Sequence, residues 1–471
     1  MLLLLLALTI YQRAQAQTAT INWATTHQTI DGFGAFDINM RGAFNASSAI
    51  LNQLFTNSGS GTNGANVGLS ILRVPVPDDS GSFSNTGTDP SGNCSTVNTG
   101  CAGVTTEEAF AASHGVRIYA TPWSPPPSMK SNGSPDCRSG GGNGSLLTSS
   151  YGAYASWLSN YIASMSNAGI NVFAITPQNE PNACTSGYGG ALWNAADFDT
   201  FIKTNLGPTM SSAGQLSSTQ IAMPETGGHG NLDAYASSSI NDPSASQYIS
   251  ICTDHEYGLS SYPNHPGPDS LCSSAGKHLW MSEIYCCSTY DGSITDGLIW
   301  GEDIHNWLAN ANANAWLWWQ IFSPYNDNEP LYQPGTTNPS KRLFVIGQWS
   351  KFVRPGWVRI DATANPANQV YVTAFKETAS GNFAIVAVNQ NSGPVNVDFS
   401  FAGFPSVASV TPTLTSAAYS LEDQAIVSVS GETFSYALPG ASVITFHGTA
   451  SSSITTSKGP ASPTNLAASV K

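Results

Sequence analysis

Two glutamates stand where apolar runs give out. Glu180 lies in NVFAITPQNEPN (171–182) and Glu283 in KHLWMSEIY (277–285). Each run concentrates or alternates apolar residues as a buried strand does, then releases a carboxylate among polar or aromatic neighbours. A barrel of parallel strands brings such end residues to one face, where active sites form. Two carboxylates that converge there can serve as the acid and the nucleophile that cleave a glycosidic bond. Asn179, beside Glu180, can bond a sugar hydroxyl next to the scissile bond. Taken alone, Asn-Glu-Pro reads equally as a helix-start or loop glutamate before proline. Glu283 reads equally as a half-buried, ion-paired residue, but no lysine or arginine lies within five positions of it. A buried carboxylate with no partner must serve something or hold a proton.

Other residues at strand ends fit the same chemistry. Arg73 is a cation in the apolar run ILRVPV and needs a carboxylate or carbonyl partner, whether structural or beneath a nucleophile. Trp123 in TPWSPP and Trp319 in WLWWQ are large rings that pack a core or line sugar subsites. His255 and Tyr257 share DHEYG, and a tyrosine hydroxyl there can bond the nucleophile and hold it ionised. His229 in GGHG, and Asp327 with Glu329 in YNDNEP, lack a complete ligand set and read as surface loops. The sequence therefore predicts neither a metal nor a cofactor.

The elements that must position these residues follow from periodicity. GLSILRVPV (68–76), VRIYATPW (116–123), NVFAITPQ (171–178), QIAMPE (220–225), HLWMSE (278–283) and NAWLWWQI (314–321) read as strands. Amphipathic stretches separate them, such as 151–169, where Tyr154, Trp157, Leu158, Tyr161 and Ile162 recur at helical spacing before Gly169. A second helical stretch spans 297–312. This alternation over residues 31–355 predicts an α/β fold, a closed (β/α)8 TIM barrel. Residues 356–448 change texture to short alternating segments joined by Gly, Asn, Ser and Pro, which predicts a side β-sandwich domain. Residues 17–30 are expected to add a strand to it. The stretch 449–471 reads as a Ser/Thr/Pro linker, and SPTNLAASV at its end resembles the first strand of a fibronectin type III module.

Residues 1–16 read as a secretory signal peptide. Residues 2–10 are almost wholly apolar, Ala14-Gln15-Ala16 is a small-x-small cleavage pattern, and the run is too short to span a membrane. A formal net charge of −14 argues against nucleic acid as a partner. Eight cysteines in a secreted chain read as disulfides. Cys94 with Cys101 is the simplest local pair, and the adjacent Cys286 and Cys287 are expected to reach different partners. The sequons at Asn45 and Asn132 are candidate glycosylation sites in a eukaryotic host.

Taken together, TIDGFGAF (29–36), TPWSPPPSMKSNG (121–133), ITPQNEP, DHEYG, WMSEIY, WLWWQ and GQWSKFVRPGWVRIDAT (347–363) resemble glycoside hydrolase family 30, over residues 23–448. The last segment resembles the run joining barrel to side domain in the xylan-cleaving branch, subfamily 8. The resemblance implies a retaining double displacement with Glu180 as acid/base after the fourth strand and Glu283 as nucleophile after the seventh. It implies a plant cell-wall polysaccharide, xylan, as partner; a secreted monomer with no membrane contact is expected. Glucuronate-dependent members carry an arginine just after the double tryptophan of strand eight. Here Trp318-Trp319-Gln320-Ile321 runs into Phe322. A uronate would lose a charge-assisted bond of roughly 1.5–3 kcal/mol, so the expected substrate is undecorated or arabinose-bearing xylan. Other family 30 activities, an endo-β-1,6-galactanase or a β-1,6-glucanase, share the frame. A non-catalytic carbohydrate-binding protein is the reading from a different class.

Overall fold

The computed structural model describes residues 17–37, 47–58, 66–77, 106–228, 230–323 and 325–451. The apolar leader, Cys94, Cys101, Asn45, His229 and most of the C-terminal stretch lie outside these residues. Eight parallel strands close a barrel in sequence order: β2 (Gly32–Phe36), β3 (Ile71–Val76), β4 (Arg117–Pro122), β5 (Val172–Ile175), β6 (Gln220–Thr226), β7 (Ile249–His255), β8 (His278–Glu283) and β9 (Ala315–Gln320). Helices between and after them include α1 (Ser48–Phe55), α2 (Thr106–Ser113), α3 (Tyr151–Asn167), α4 (Ala195–Phe201), α5 (Leu232–Asn241), α6 (Ser270–Ser274), α7 (Ile294–Ala309) and α8 (Lys341–Ser350), with short helical turns at Gly207–Ser212 and Pro243–Ser246. In α3 the predicted stripe of Tyr154, Trp157, Leu158, Tyr161 and Ile162 is buried. Gly169 follows in the left-handed conformation, φ 82°, that glycine adopts without a Cβ clash.

Strand alternation sorts the side chains. Along β3, Leu72 and Val74 face the helical layer, whereas Ile71 enters the barrel interior. That interior packs Tyr119 and Trp280 against Ala174, Ala222 and Ala315, large rings filling the space that small residues leave. Above it, at the carboxyl ends of the strands, Phe36, Trp123 and Trp319 form a separate aromatic cluster. Gly34 allows the first two strands to approach, since a Cβ there would lie 2.2 Å from the carbonyl oxygen of Ile71.

The side domain is one curled sheet around its own core, not two separate sheets. Its strands are β1 (Gln17–Thr29), β10 (Val358–Ala362), β11 (Val370–Lys376), β12 (Asn382–Asn389), β13 (Val395–Ala402), β14 (Ser409–Ser416), β15 (Thr433–Leu438) and β16 (Ser442–Thr449). They run in the spatial order β14-β16-β12-β11-β10-β1-β13-β15, with short Glu422–Asp423 and Val427–Ser428 segments against β14. β1 is thus an interior strand, antiparallel to β10 and parallel to β13. The sheet docks on α7 and α8. Gln348 Nε2 donates to Thr415 Oγ1 at 2.8 Å, and Trp349 Nε1 to Thr373 Oγ1 at 3.1 Å.

Three disulfides are present among the described residues: Cys137–Cys184, Cys252–Cys272 and Cys286–Cys287. The last overturns the expectation that adjacent cysteines reach different partners. Cys287 takes φ 88°, a backbone turn that lets neighbouring side chains meet.

Candidate active site

Arg73 is the hub. It is fully buried, and its guanidinium reaches across the barrel to four strand ends or the loops beyond them. Nη1 donates to Glu283 Oε2, Nη2 to Asn179 Oδ1 at 2.6 Å and to Glu225 Oε2 at 3.3 Å, and Nε to Thr121 Oγ1 at 3.2 Å. The rings of Trp123 and Phe36 flank it at 4.9 and 5.2 Å. Glu283, which has no basic neighbour in sequence, therefore finds its cation 210 residues away.

Glu283 ends β8, where the pairing with β7 slips between Met281 and Glu283. Trp280 faces the barrel interior and Met281 the helices. Simple alternation would turn Glu283 outward, and the irregularity re-aims it into the site. Its second oxygen, Oε1, accepts from Tyr257 Oη at 2.9 Å. Burial raises the Glu283 carboxyl above its ordinary range. The charges of His255 and Arg73 pull the other way, and Glu180 adds to the rise.

Glu180 lies beyond its strand, which stops at Ile175, on a turn with φ 46°. Non-glycine residues hold this left-handed conformation at a cost of about 1–3 kcal/mol, and such residues cluster at functional sites. The turn is fixed by backbone bonds, Asn179 N to Pro122 O at 2.8 Å and Glu180 N to Glu225 O at 3.0 Å. Gln178 Nε2 ties it further to the carbonyl of Trp123. The Glu180 carboxylate accepts from Tyr188 Oη on Oε2 at 2.5 Å and contacts His255 Nδ1 through Oε1 at 3.2 Å.

His255 is fully buried among three carboxylates, with Nε2 3.7 Å from both Glu225 and Glu283. Burial works against its charge, but Glu283, Glu180 and Glu225 outweigh it and raise the imidazole to about 10. It is a cation at neutral pH. One oxygen of Glu180, one ring nitrogen of His255 and one oxygen of Glu283 lie within 4.8 Å of one another. With His255 protonated and Arg73 alongside, positive charge is already supplied to these carboxylates by the protein.

The structure thus brings together Arg73, Asn179, Glu180, His255, Tyr257 and Glu283. Trp123 and Trp319 stand beside them but are only 5% and 6% exposed. Phe36 stacks on Trp319 at 4.9 Å, so these rings form a wall rather than open platforms. Two site residues escaped the sequence reading. Glu225, at φ 59°, sits where β6 slips register against β7, ion-paired to Arg73 at 3.2 Å. Burial raises its carboxyl, but Arg73 and His255 more than reverse this and hold it below the ordinary range. The signal was available, since Glu225 closes the apolar run QIAMPE just as Glu283 closes HLWMSE. Tyr188 comes from an irregular segment after Glu180 and carries no periodic signal.

Phe322 is buried and stacked on Tyr332 at 4.6 Å. Glu329 does not stand free on a surface loop. Its Oε2 accepts from Trp319 Nε1 at 3.1 Å and from Gln320 Nε2.

Residues 104–267 match the glycosyl hydrolase family 30 TIM-barrel domain. Glucuronoxylanase XynC of Bacillus subtilis strain 168 is 31% identical over 438 residues, 92% of this chain and 92% of its own. The endo-1,6-beta-D-glucanase neg1 of Aspergillus fumigatus is 31% identical over 382 residues, 72% of this chain and 73% of its own. A solved glycoside hydrolase family 30 subfamily 8 xylanase from Clostridium acetobutylicum superposes with a TM-score of 0.75 at 31% identity, covering 91% of this chain and 99% of that one. A barrel with two carboxylates facing each other at its carboxyl end, aligned with these relatives over most of its length, makes the chain a glycoside hydrolase, and it belongs to family 30.

Proposed function

We propose that the chain is a secreted, retaining endo-β-1,4-xylanase that acts by double displacement and does not depend on glucuronate side groups. The observation that carries the mechanism is the spacing of Glu180 and Glu283, which offer one oxygen each within 4.8 Å. Retaining enzymes hold their carboxyl groups about 5–5.5 Å apart, whereas inverting ones leave about 6.5–9.5 Å for a water. The partners support distinct roles. Arg73 and Tyr257 bond both oxygens of Glu283 and oppose the rise that burial causes, supporting the anion a nucleophile requires. Glu180 makes no bond to Arg73 and sits against Tyr188 and His255. Three carboxyl groups face two cations, so one proton makes the cluster neutral, and the reaction needs that proton on Glu180.

In the first step Glu283 attacks the anomeric carbon while Glu180 protonates the departing oxygen. In the second, Glu180 takes a proton from water, which displaces the sugar from Glu283. Asn179, with its oxygen held by Arg73, keeps its amide N–H groups for the sugar beside the scissile bond. Secretion is supported by the apolar leader and by the three disulfides. The xylanase relatives support xylan, and the inward-packed Phe322 supports indifference to glucuronate. The 31% identity to a β-1,6-glucanase supports a second reading, cleavage of β-1,6-glucan by the same pair.

Glucuronoxylan, arabinoxylan, β-1,6-galactan and β-1,6-glucan, digested side by side with the products sized, separate these readings. Xylo-oligosaccharide ladders from both xylans are expected. Fragments spaced only by glucuronate groups would sink the independence from that group, and release from a β-1,6-polymer with none from xylan would favour the second reading.

A further inference from the structure

We propose that Glu329 is a specificity-determining residue: it meets the sugar held over Glu283, accepts a hydrogen bond from a neutral hydroxyl there, and repels substrates that bring a uronate to that position. This rests on the xylanase reading above and deepens it.

The carboxylate is fixed from three sides. Trp319 Nε1 and Gln320 Nε2, at the end of β9, both donate to Oε2, and the hydroxyl of Tyr285, two residues beyond Glu283, bonds the same group. Its backbone is fixed as well. The Glu329 carbonyl accepts from Trp318 Nε1, and the buried Arg342 donates to the carbonyls of Asn328 and Pro330 on either side. Three donors leave an ionised carboxylate with acceptor capacity to spare, since it offers about four lone-pair sites. Glu329 is half-buried rather than covered.

Its side of the cleft follows from its neighbours. Glu329 bonds Tyr285, whose ring meets that of Tyr257 at 5.4 Å, and Tyr257 in turn bonds Glu283 at 2.9 Å. The sugar that is attacked at its anomeric carbon lies over Glu283, and the leaving part of the polymer lies toward Glu180. A carboxylate beside Glu283 therefore meets the retained sugar, and a second anion arriving there would face it at short range.

The groups around Glu329 set how this varies with pH. Burial first, then the charge of Asp327 on its own loop, push its carboxyl up to about 7, while the bonds from Trp319 and Tyr285 hold it back. Glu283 on β8 adds to the rise. A uronate is ionised throughout the neutral range, so repulsion should grow as Glu329 loses its proton between pH 6 and 8. Glu283 must be ionised to attack either substrate, so that requirement enters both rates alike.

The test is kcat/KM for a linear xylo-oligosaccharide divided by that for the same oligosaccharide bearing one glucuronic acid branch, at pH 6, 7 and 8. In the wild type this ratio should rise about fivefold, the scale of one partly exposed charge contact. In Glu329→Gln it should start lower and stay flat. A ratio independent of pH in the wild type, or an equal slope in Glu329→Gln, overturns the proposal, and the wild-type measurement stands even if the variant does not fold. Cleavage of neither oligosaccharide overturns it too, by removing the xylanase reading beneath it.

Discussion

Glu283 takes hydrogen bonds on both oxygens, and losing its charge would change more than the nucleophile. Glu283→Gln keeps the shape but leaves Arg73 to be balanced by Glu225 alone, with Asn179 and Thr121 as neutral partners. Turnover is expected to fall by roughly 10⁴-fold or more, the scale seen when a catalytic nucleophile is removed, while far-UV circular dichroism stays that of the wild type. Glu180→Ala is expected to be partly rescued by substrates with good leaving groups, which need no acid, or by azide, which needs no base. Wild-type activity in either variant refutes the assigned roles. The residue scale also shows why chemistry was legible before geometry. A carboxylate after an apolar run marks a candidate, as Glu180 and Glu283 do, although Glu225 closes such a run as well. Their partners were harder because pairing is a property of the closed barrel: Arg73 reaches Glu283 only once the first and last strands meet.

At the scale of elements, the site depends on places where regular structure gives way. Glu225 and Glu283 both sit at register slips, and Glu180 and Glu225 both hold left-handed backbone. Alternation predicts strands and cannot predict a slip, so six of the eight barrel strands were legible, β2 and β7 being the exceptions, while the aim of their last side chains was not. Cys286–Cys287 is the same lesson in covalent form, because spacing alone suggested two separate partners. Gly227, just past β6, gives a sharp test. A Cβ there would lie 2.9 Å from both Cδ and Oε1 of Glu180. Such a contact must be relieved, and the cheapest movement is rotation of the Glu180 carboxyl away from Tyr188 and His255. Gly227→Ala is therefore expected to lower kcat by about 10–100-fold through misplacement of that group. KM and the melting temperature should change little. A variant with unchanged kcat would show that Glu180 has more freedom than its bonds suggest.

Across the whole molecule, the described residues run from the side sheet through the barrel and back to the sheet. β1 lies between β10 and β13, so the sheet is complete only when residues from both sides of the barrel are present. The docking surface on α7 and α8 is interior in character. Trp349 is fully buried with its indole N–H on Thr373, and Gln348 is held by Thr415 and Thr445. An interface of buried apolar and satisfied polar groups couples the stability of its two sides, because unfolding either would strand buried polar groups and bare tryptophan on the other. Scanning calorimetry is therefore expected to show one unfolding transition for barrel and side sheet together. Trp349→Ala should lower stability by about 3–5 kcal/mol, the cost of deleting a large buried ring, and should shift that transition without splitting it. Two separated transitions in the wild type would mean that the sheet folds as an independent body, and that its contacts with α8 add little to the barrel that carries the site.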